Sequence, residues 1–315
     1  MINSVRNSVL SIINKNNYGY ISPSDFNLFA TQAQMDLFED YFYLYNSQIT
    51  KENTRLSGSG YADITKGLIE VIDSFSVEAF LSQTGVANTY ALPSDYYLID
   101  KIYYYSNLLD FGTTDGATTA FKLNDSTQNF ASTVSVGSLV VNTTSTTQAY
   151  VTAIDSNNLL SISADIMTTA QNYSIYSSTN IREVERVTQN KIFRLTNSNL
   201  TAPNTTYPAY VLGGATTTLV GNTITVYPST IRGAADIKTQ YIRFPRPPKW
   251  TYVQLQDGAP LFNDTAADYQ DFELPESDEP MLVNRILQYA GISIREPSVT
   301  KFGATEEAKE DQQQT

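Results

Sequence analysis

Ser22-Pro23-Ser24-Asp25-Phe26-Asn27-Leu28-Phe29-Ala30 opens the stretch on which the reading of this chain turns. Ser22 can cap a helix, Pro23 suits the first helical position because its missing N–H costs nothing there, and Asp25 lies three residues past the cap. Phe26, Phe29, Ala30, Ala33, Leu37, Tyr41, Leu44 and Tyr45 then recur in steps of three and four, which makes one continuous apolar stripe. No Gly or Pro interrupts the run before Gly58. The spacing predicts a single helix from about Pro23 to about Arg55, roughly 50 Å long at 1.5 Å per residue.

Its neighbours supply partners. Upstream, Ile2 to Asn14 reads as a short helix with Ile2, Val5, Val9, Ile12 and Ile13 on one side, closed by Asn16-Asn17-Tyr18-Gly19. Downstream, Leu56-Ser57-Gly58-Ser59-Gly60 reads as a flexible turn, and a third helix runs from about Ala62 to Phe75 with Ile64, Leu68, Val71 and Ile72 inward. Together they predict an antiparallel helical bundle. The stretch from Asn14 to Phe26 imitates a calcium loop, but Asn, Tyr and Asp stand at the first, fifth and last ligand positions, where such a loop needs acids and a bidentate Glu. A capped helix-turn-helix is the preferred reading, with no metal.

After Phe75 the period changes to two. Ser76 to Gln83, Val86 to Leu92 and Tyr96 to Tyr105 read as strands. Composition then shifts: Asn107 to Asn180 holds 14 Thr and 11 Ser but a single base, Lys122. Alternating pieces at Phe121–Leu123, Leu139–Val141, Tyr150–Ile154, Leu159–Ile162 and Tyr173–Tyr176 predict a small all-β module, a sandwich or barrel, inserted into a domain whose charged character resumes at Ile181-Arg182-Glu183. Thr188 to Thr196 is ambiguous. Extended pieces follow at Tyr207–Leu212, Thr216–Val220, Thr223–Tyr227 and Asp236–Phe244, with Gly221-Asn222 as a hairpin turn. Seven acids and no base lie between Asp264 and Glu279, and Ser277-Asp278-Glu279-Pro280 starts a last helix with Leu282, Ile286, Tyr289 and Ala290 inward, which Gly291 limits. Glu306 to Thr315 reads as a polar, extended tail.

The predicted fold is therefore α+β, in four parts: residues 1–106 as helical bundle and first strands, 107–180 as the inserted β module, 181–270 as the rest of the main β domain, and 271–315 as C-terminal helix and tail.

Composition excludes more chemistry than it suggests. The chain of 315 residues has no Cys and no His, so no thiolate, Ser-His-Asp triad, disulfide or ordinary zinc site can be assembled. No phosphate loop or dinucleotide fingerprint is present. The 32 acids offer carboxylate pairs for a glycosidase, but no spacing supports one. The expectation is that this is not an enzyme and needs no cofactor. Twelve more acids than bases argue against a surface that grips phosphates. The opening residues lack the apolar core of a signal peptide, and no run of about 20 apolar residues exists for a membrane span; the expected product is soluble and made in the cytoplasm. The 22 tyrosines suit extensive interfaces.

One local feature stands out. Tyr241-Ile242-Arg243-Phe244-Pro245-Arg246-Pro247-Pro248-Lys249-Trp250 gathers three bases, three prolines and the only Trp. It reads either as a strand end with a solvated basic rim and a core Trp, or as a stiff basic edge for docking on another chain. In the second reading Arg243, Arg246, Lys249 and Trp250 meet the acidic stretch, with Asp268, Asp271, Glu273 and Glu276 as candidates. Head-to-tail pairing of the two would build a ring.

The residues Ile12 to Phe26, Leu92-Pro93-Ser94-Asp95-Tyr96-Tyr97, the proline-basic run to Trp250, and Phe272-Glu273-Leu274-Pro275-Glu276 through Tyr289-Ala290-Gly291-Ile292 resemble virion structural proteins of short-tailed phages, notably crAss-like phages of gut bacteria. The resemblance covers both flanks of the Thr-rich segment, and that segment resembles small β modules added to several phage structural proteins. It implies a neck or tail ring protein, similar in design to head-to-tail adaptors, that stacks below the portal and extends the DNA channel in rings of about twelve copies. Its partners would be itself, the portal and other ring proteins; genomic DNA would pass without specific binding, and no membrane is involved. The alternatives are a receptor- or glycan-binding tail or decoration protein that uses Phe111, Phe121, Phe130, Tyr150, Tyr173 and Tyr176, and a virion-bound glycosidase.

Overall fold

A computed structural model describes residues 1–13, 21–53, 64–115, 119–213, 222–256, 258–293, 301 and 303–305. The calcium-like loop at 14–20, the turn at 56–60, the extended piece at 216–220, Gly221 of the hairpin turn and the tail at 306–315 lie outside the described residues.

The protein is α+β. In chain order the elements are α1 (Ile2–Ile13), α2 (Pro23–Asn53), α3 (Ile64–Asp73), β1 (Ser76–Phe80), β2 (Ser82–Gln83), β3 (Thr89–Ala91), β4 (Tyr96–Tyr105), β5 (Leu108–Thr113), β6 (Lys122–Asn124), α4 (Phe130–Thr133), β7 (Leu139–Asn142), β8 (Thr147–Ser156), β9 (Leu159–Ile162), β10 (Asn172–Tyr176), β11 (Ile181–Glu183), β12 (Glu185–Arg186), α5 (Gln189–Thr196), β13 (Ala209–Leu212), β14 (Thr223–Tyr227), β15 (Ile237–Arg243), β16 (Tyr252–Gln254), β17 (Pro260–Phe262) and α6 (Glu279–Ser293). They fall into two compact units, Met1–Phe75 with Phe244–Thr315, and Ser76–Arg243.

The first unit is built on α2. The Ser22 hydroxyl accepts the Asp25 N–H at 3.1 Å and donates to its carboxylate at 2.7 Å, so the cap forms as the sequence predicts. Phe26, Ala30, Ala33 and Leu37 are buried, and so are Gln34 and Phe38, which the sequence reading left out of the stripe. Phe38 sits edge-on to Phe75, with ring centroids 5.1 Å apart. α2 packs against α3 and α6, whereas α1 packs principally against α6. α6 is the common wall: Leu282, Ile286, Leu287 and Ala290 are fully buried, and the helix runs past Gly291 to Ser293. β16 and β17 form an isolated antiparallel hairpin beside Trp250, with register Val253↔Leu261.

Among the described residues, the second unit holds three sheets. The four-stranded sheet β1-β15-β4-β11 is antiparallel throughout, and a five-stranded sheet runs β12-β13-β14-β3-β2 with β12 and β13 parallel. Period-two alternation along β4 explains their stacking. Ile102 and Tyr104 point into a core shared with Tyr90, Tyr210, Ile224, Val226 and Ile237. Tyr105 points the other way, into a cluster with Phe80, Leu139, Val141, Tyr176 and Ala235.

Leu139, Val141 and Tyr176 belong to a six-stranded sheet, β5-β10-β7-β8-β9-β6, whose strands all come from residues 108–176. Register shifts in β8 bend it so that it pairs with β7 at one end and β9 at the other. The outer strands approach where the Asp115 N–H donates to the Asn124 carbonyl at 3.0 Å. Leu123, Phe130, Val140, Leu160 and Ile175 fill the interior. Chain entry and exit lie side by side, because β4 and β11 are antiparallel neighbours with Tyr105 opposite Ile181, and the Ser106 hydroxyl donates to the Asn180 carbonyl at 2.9 Å.

Candidate functional site

The proline-basic run is divided between the units. Arg243 ends β15 opposite Tyr96, in the second unit. Arg246, Lys249 and Trp250 belong to the first. There the run lies along α2, and the backbone groups of Arg246, Lys249 and Trp250 all find partners. The Arg246 N–H donates to the Glu273 carboxylate at 2.8 Å, and its carbonyl accepts the Gln34 amide at 2.8 Å. Lys249 exchanges backbone bonds with Gln270, at 2.8 and 3.3 Å. The Trp250 N–H donates to Asn27 Oδ1 at 2.8 Å, and its carbonyl accepts Asn27 Nδ2 at 3.2 Å. Asn27 and Gln34 stand two helical turns apart, on one face of α2. They imitate the edge of a sheet for a segment whose prolines cannot join one.

Two of the four acids predicted to meet this run, Asp268 and Glu273, do so within one chain. Lys249 Nζ lies 2.5 Å from Asp268 Oδ2, and that hydrogen bond holds the exposed Asp268 carboxyl below its ordinary range. The Glu273 N–H in turn donates to the side-chain oxygen Oε1 of Gln34 on α2 at 3.1 Å. Asp271 serves α1, which has no acid in its own first turn. Its carboxylate accepts the Ile2 N–H at 2.7 Å and the Met1 ammonium at 3.1 Å. Burial alone pushes Asp271 up, but these bonds and the Phe272 N–H together hold it below the usual carboxylate value. Glu276 is exposed on the turn before α6. Trp250 is a core residue, 2% exposed, stacked against both Tyr252 and Phe262, with the Arg6 guanidinium 3.8 Å from its ring centre and its indole N–H on Asn3 at 3.0 Å.

Two surface features were not read from the sequence. The first is a cavity of about 430 Å³ between α2, α3 and α6. Leu37, Leu44, Leu68, Val71 and Met281 give it apolar walls, and Asp40 and Asp278 stand on its rim. Asp40 pairs with Arg285 at 2.7 Å, and Asp278 accepts the Tyr41 hydroxyl. Nearby, burial and a hydrogen bond to Asp36 push the Tyr289 phenol up to about 12. The second is α5, in the other unit. Ile192 packs inward on Val187, Ala209 and Val211, yet the next residue, Phe193, is 70% exposed. Leu200 and Tyr207, in the loop that follows, are 94% and 76% exposed.

The six aromatics proposed for sugar stacking separate into two groups. Phe130, Tyr173 and Tyr176 are buried, and Tyr173 donates to Asp125 at 2.7 Å, while Phe111, Phe121 and Tyr150 are exposed. Burial pushes the Asp236 carboxyl up, although it accepts the Gly233 N–H at 2.7 Å and the Tyr176 hydroxyl at 3.2 Å. It ties the six-stranded sheet to the turn before β15. Among the described residues, no three acids are grouped to hold a metal ion, and no helix is long and apolar enough to cross a membrane. Neither a protein-family model nor a curated protein matches the chain.

Proposed function

We propose that this chain is a structural subunit of an oligomeric ring in the portal-to-tail neck of a short-tailed phage virion, and that it extends the DNA channel. Its N-terminal helices form the bundle of such a subunit, with the segment 107–180 as an added β module between β4 and β11. It acts by shape and contact rather than by chemistry. Its partners are copies of itself, the portal and neighbouring ring proteins, and the DNA slides past without specific binding.

The observation that carries this reading is where the resembling residues fall. Most of them fall in one unit, where Ser22 caps α2, Trp250, Phe272 and Leu274 are buried, and Leu282, Ile286 and Ala290 form the inner face of α6, while Leu92–Tyr97 lies in the other. A likeness concentrated in framework residues supports a shared scaffold, and a scaffold is what a ring subunit contributes. Native mass of the purified protein is the test. A species of about twelve copies supports the reading; a stable monomer counts against it.

A second reading has one observation in its favour. Phe111, Phe121 and Tyr150 are 66%, 54% and 49% exposed, as sugar-stacking residues need to be. A trimer that binds glycans, and loses binding on Phe111→Ala, would favour a receptor-binding protein instead.

A further inference from the structure

Two surfaces of this chain complement each other. The groove between α2, α3 and α6 is largely apolar, and two acids line it, Asp278 and the Arg285-paired Asp40, with Glu276 exposed two residues from Asp278. The α5 surface has the opposite design. From Val187 to Gly213 the chain has two bases, Lys191 and Arg194, and no acid, in a protein of net charge -12, although Lys191 Nζ lies 3.9 Å from Glu185 just before the stretch. The same stretch displays Phe193 and Leu200, which are 70% and 94% exposed. Phe193 and Leu200 are thus large apolar side chains that no described residue of their unit covers.

Resting on the ring reading above, we propose that Phe193 and Leu200 of one copy seat in the apolar groove of the next, with Lys191 and Arg194 facing the acids on its rim. A cavity of about 430 Å³ has room for more than one large apolar side chain. Knob and hole lie on different elements, so the contact is heterologous, the kind that builds a ring when its rotation closes and a filament when it does not. Opposite charge at the rim fixes the register of the two surfaces and opposes pairing of like with like.

The absence of cysteine makes the test direct. Asn190→Cys places a thiol on the exposed side of α5, one turn from Phe193. Gly67→Cys places one in the groove wall, where an added Cβ meets nothing within 4 Å. Each variant is made alone in the full chain, and the two are mixed and treated with a short bis-maleimide. The expected result is a cross-linked dimer in the mixture and not in either variant alone. Phe193→Asp, at an exposed position, is expected to weaken assembly by about tenfold or more with an unchanged circular dichroism spectrum. An assembly that forms without the mixed cross-link, and survives Phe193→Asp, overturns this contact and leaves the ring reading standing. A cross-link in Asn190→Cys alone means symmetric pairing and overturns it too. A wild-type protein that stays monomeric at every concentration overturns the ring reading and this contact with it.

Discussion

Gln34→Leu tests whether the helix amides hold the proline-basic run. Gln34 is 1% exposed, donates to the Arg246 carbonyl at 2.8 Å and accepts the Glu273 N–H at 3.1 Å. Leucine keeps most of the volume and removes both bonds, so the loss is polar rather than a cavity. Each abandoned partner costs about 1–3 kcal/mol when water cannot replace the bond. Arg246 is exposed and Glu273 half-buried, so water reaches part of the site, and the lower end of that range applies twice: about 2–3 kcal/mol. Trp250, the sole tryptophan, lies in the same unit, so its fluorescence reports that unit alone. In urea, at one fixed protein concentration, the midpoint should fall by about 1 M for a slope near 2 kcal/mol/M. Gln34→Glu keeps the acceptor but turns a carboxylate toward a carbonyl; its deficit should shrink as pH falls and the acid becomes a donor. A Gln34→Leu midpoint within about 0.2 M of wild type refutes the reasoning.

Three further outcomes are expected. Asp271→Asn should destabilise the first unit at neutral pH; because the folded carboxyl lies below its ordinary value, the wild-type advantage is present above the unfolded value of about 4 and disappears as pH falls through the folded one, so the two melting curves should converge in acid. Deletion of 107–179 closed by a two-residue turn should leave the second unit folded by circular dichroism, since Tyr105 and Ile181 are already opposite, but exposed Phe80 and Tyr105 should promote aggregation that polar replacements relieve; a cut beginning at Gly112 strands β5 and should behave worse. Purified protein should give no duplex-DNA gel shift at physiological salt, where even non-specific binders reach about 10⁻⁴ to 10⁻⁶ M; a salt-sensitive shift at micromolar protein would reveal a basic wall behind the net charge.

Elements governed by local rules were legible in the sequence. α2 starts at its cap and continues unbroken to Asn53, because capping and the 3.6 period are short-range signals, while its expected end at about Arg55 lies outside the described residues. Alternation located β4, β7, β9 and β14 for the same reason. β5 was missed because the register shift opposite it breaks alternation, so that Leu109 and Asp110 both turn from solvent. α5 was ambiguous because Ile192 and Phe193 place apolar groups on both sides. The site was less legible. Asn27 and Gln34 were passed over as polar positions on a surface helix, although Gln34 falls four residues from both Ala30 and Phe38, inside the stripe. Charge alone could not say whether Lys249 would find Asp268 in its own chain or in another, since attraction carries no record of connectivity.

Single-particle imaging of the purified full-length protein tests the central claim most directly. The account predicts closed rings of about twelve copies around an open channel wide enough for duplex DNA. Monomers, or compact trimers without a channel, would contradict it.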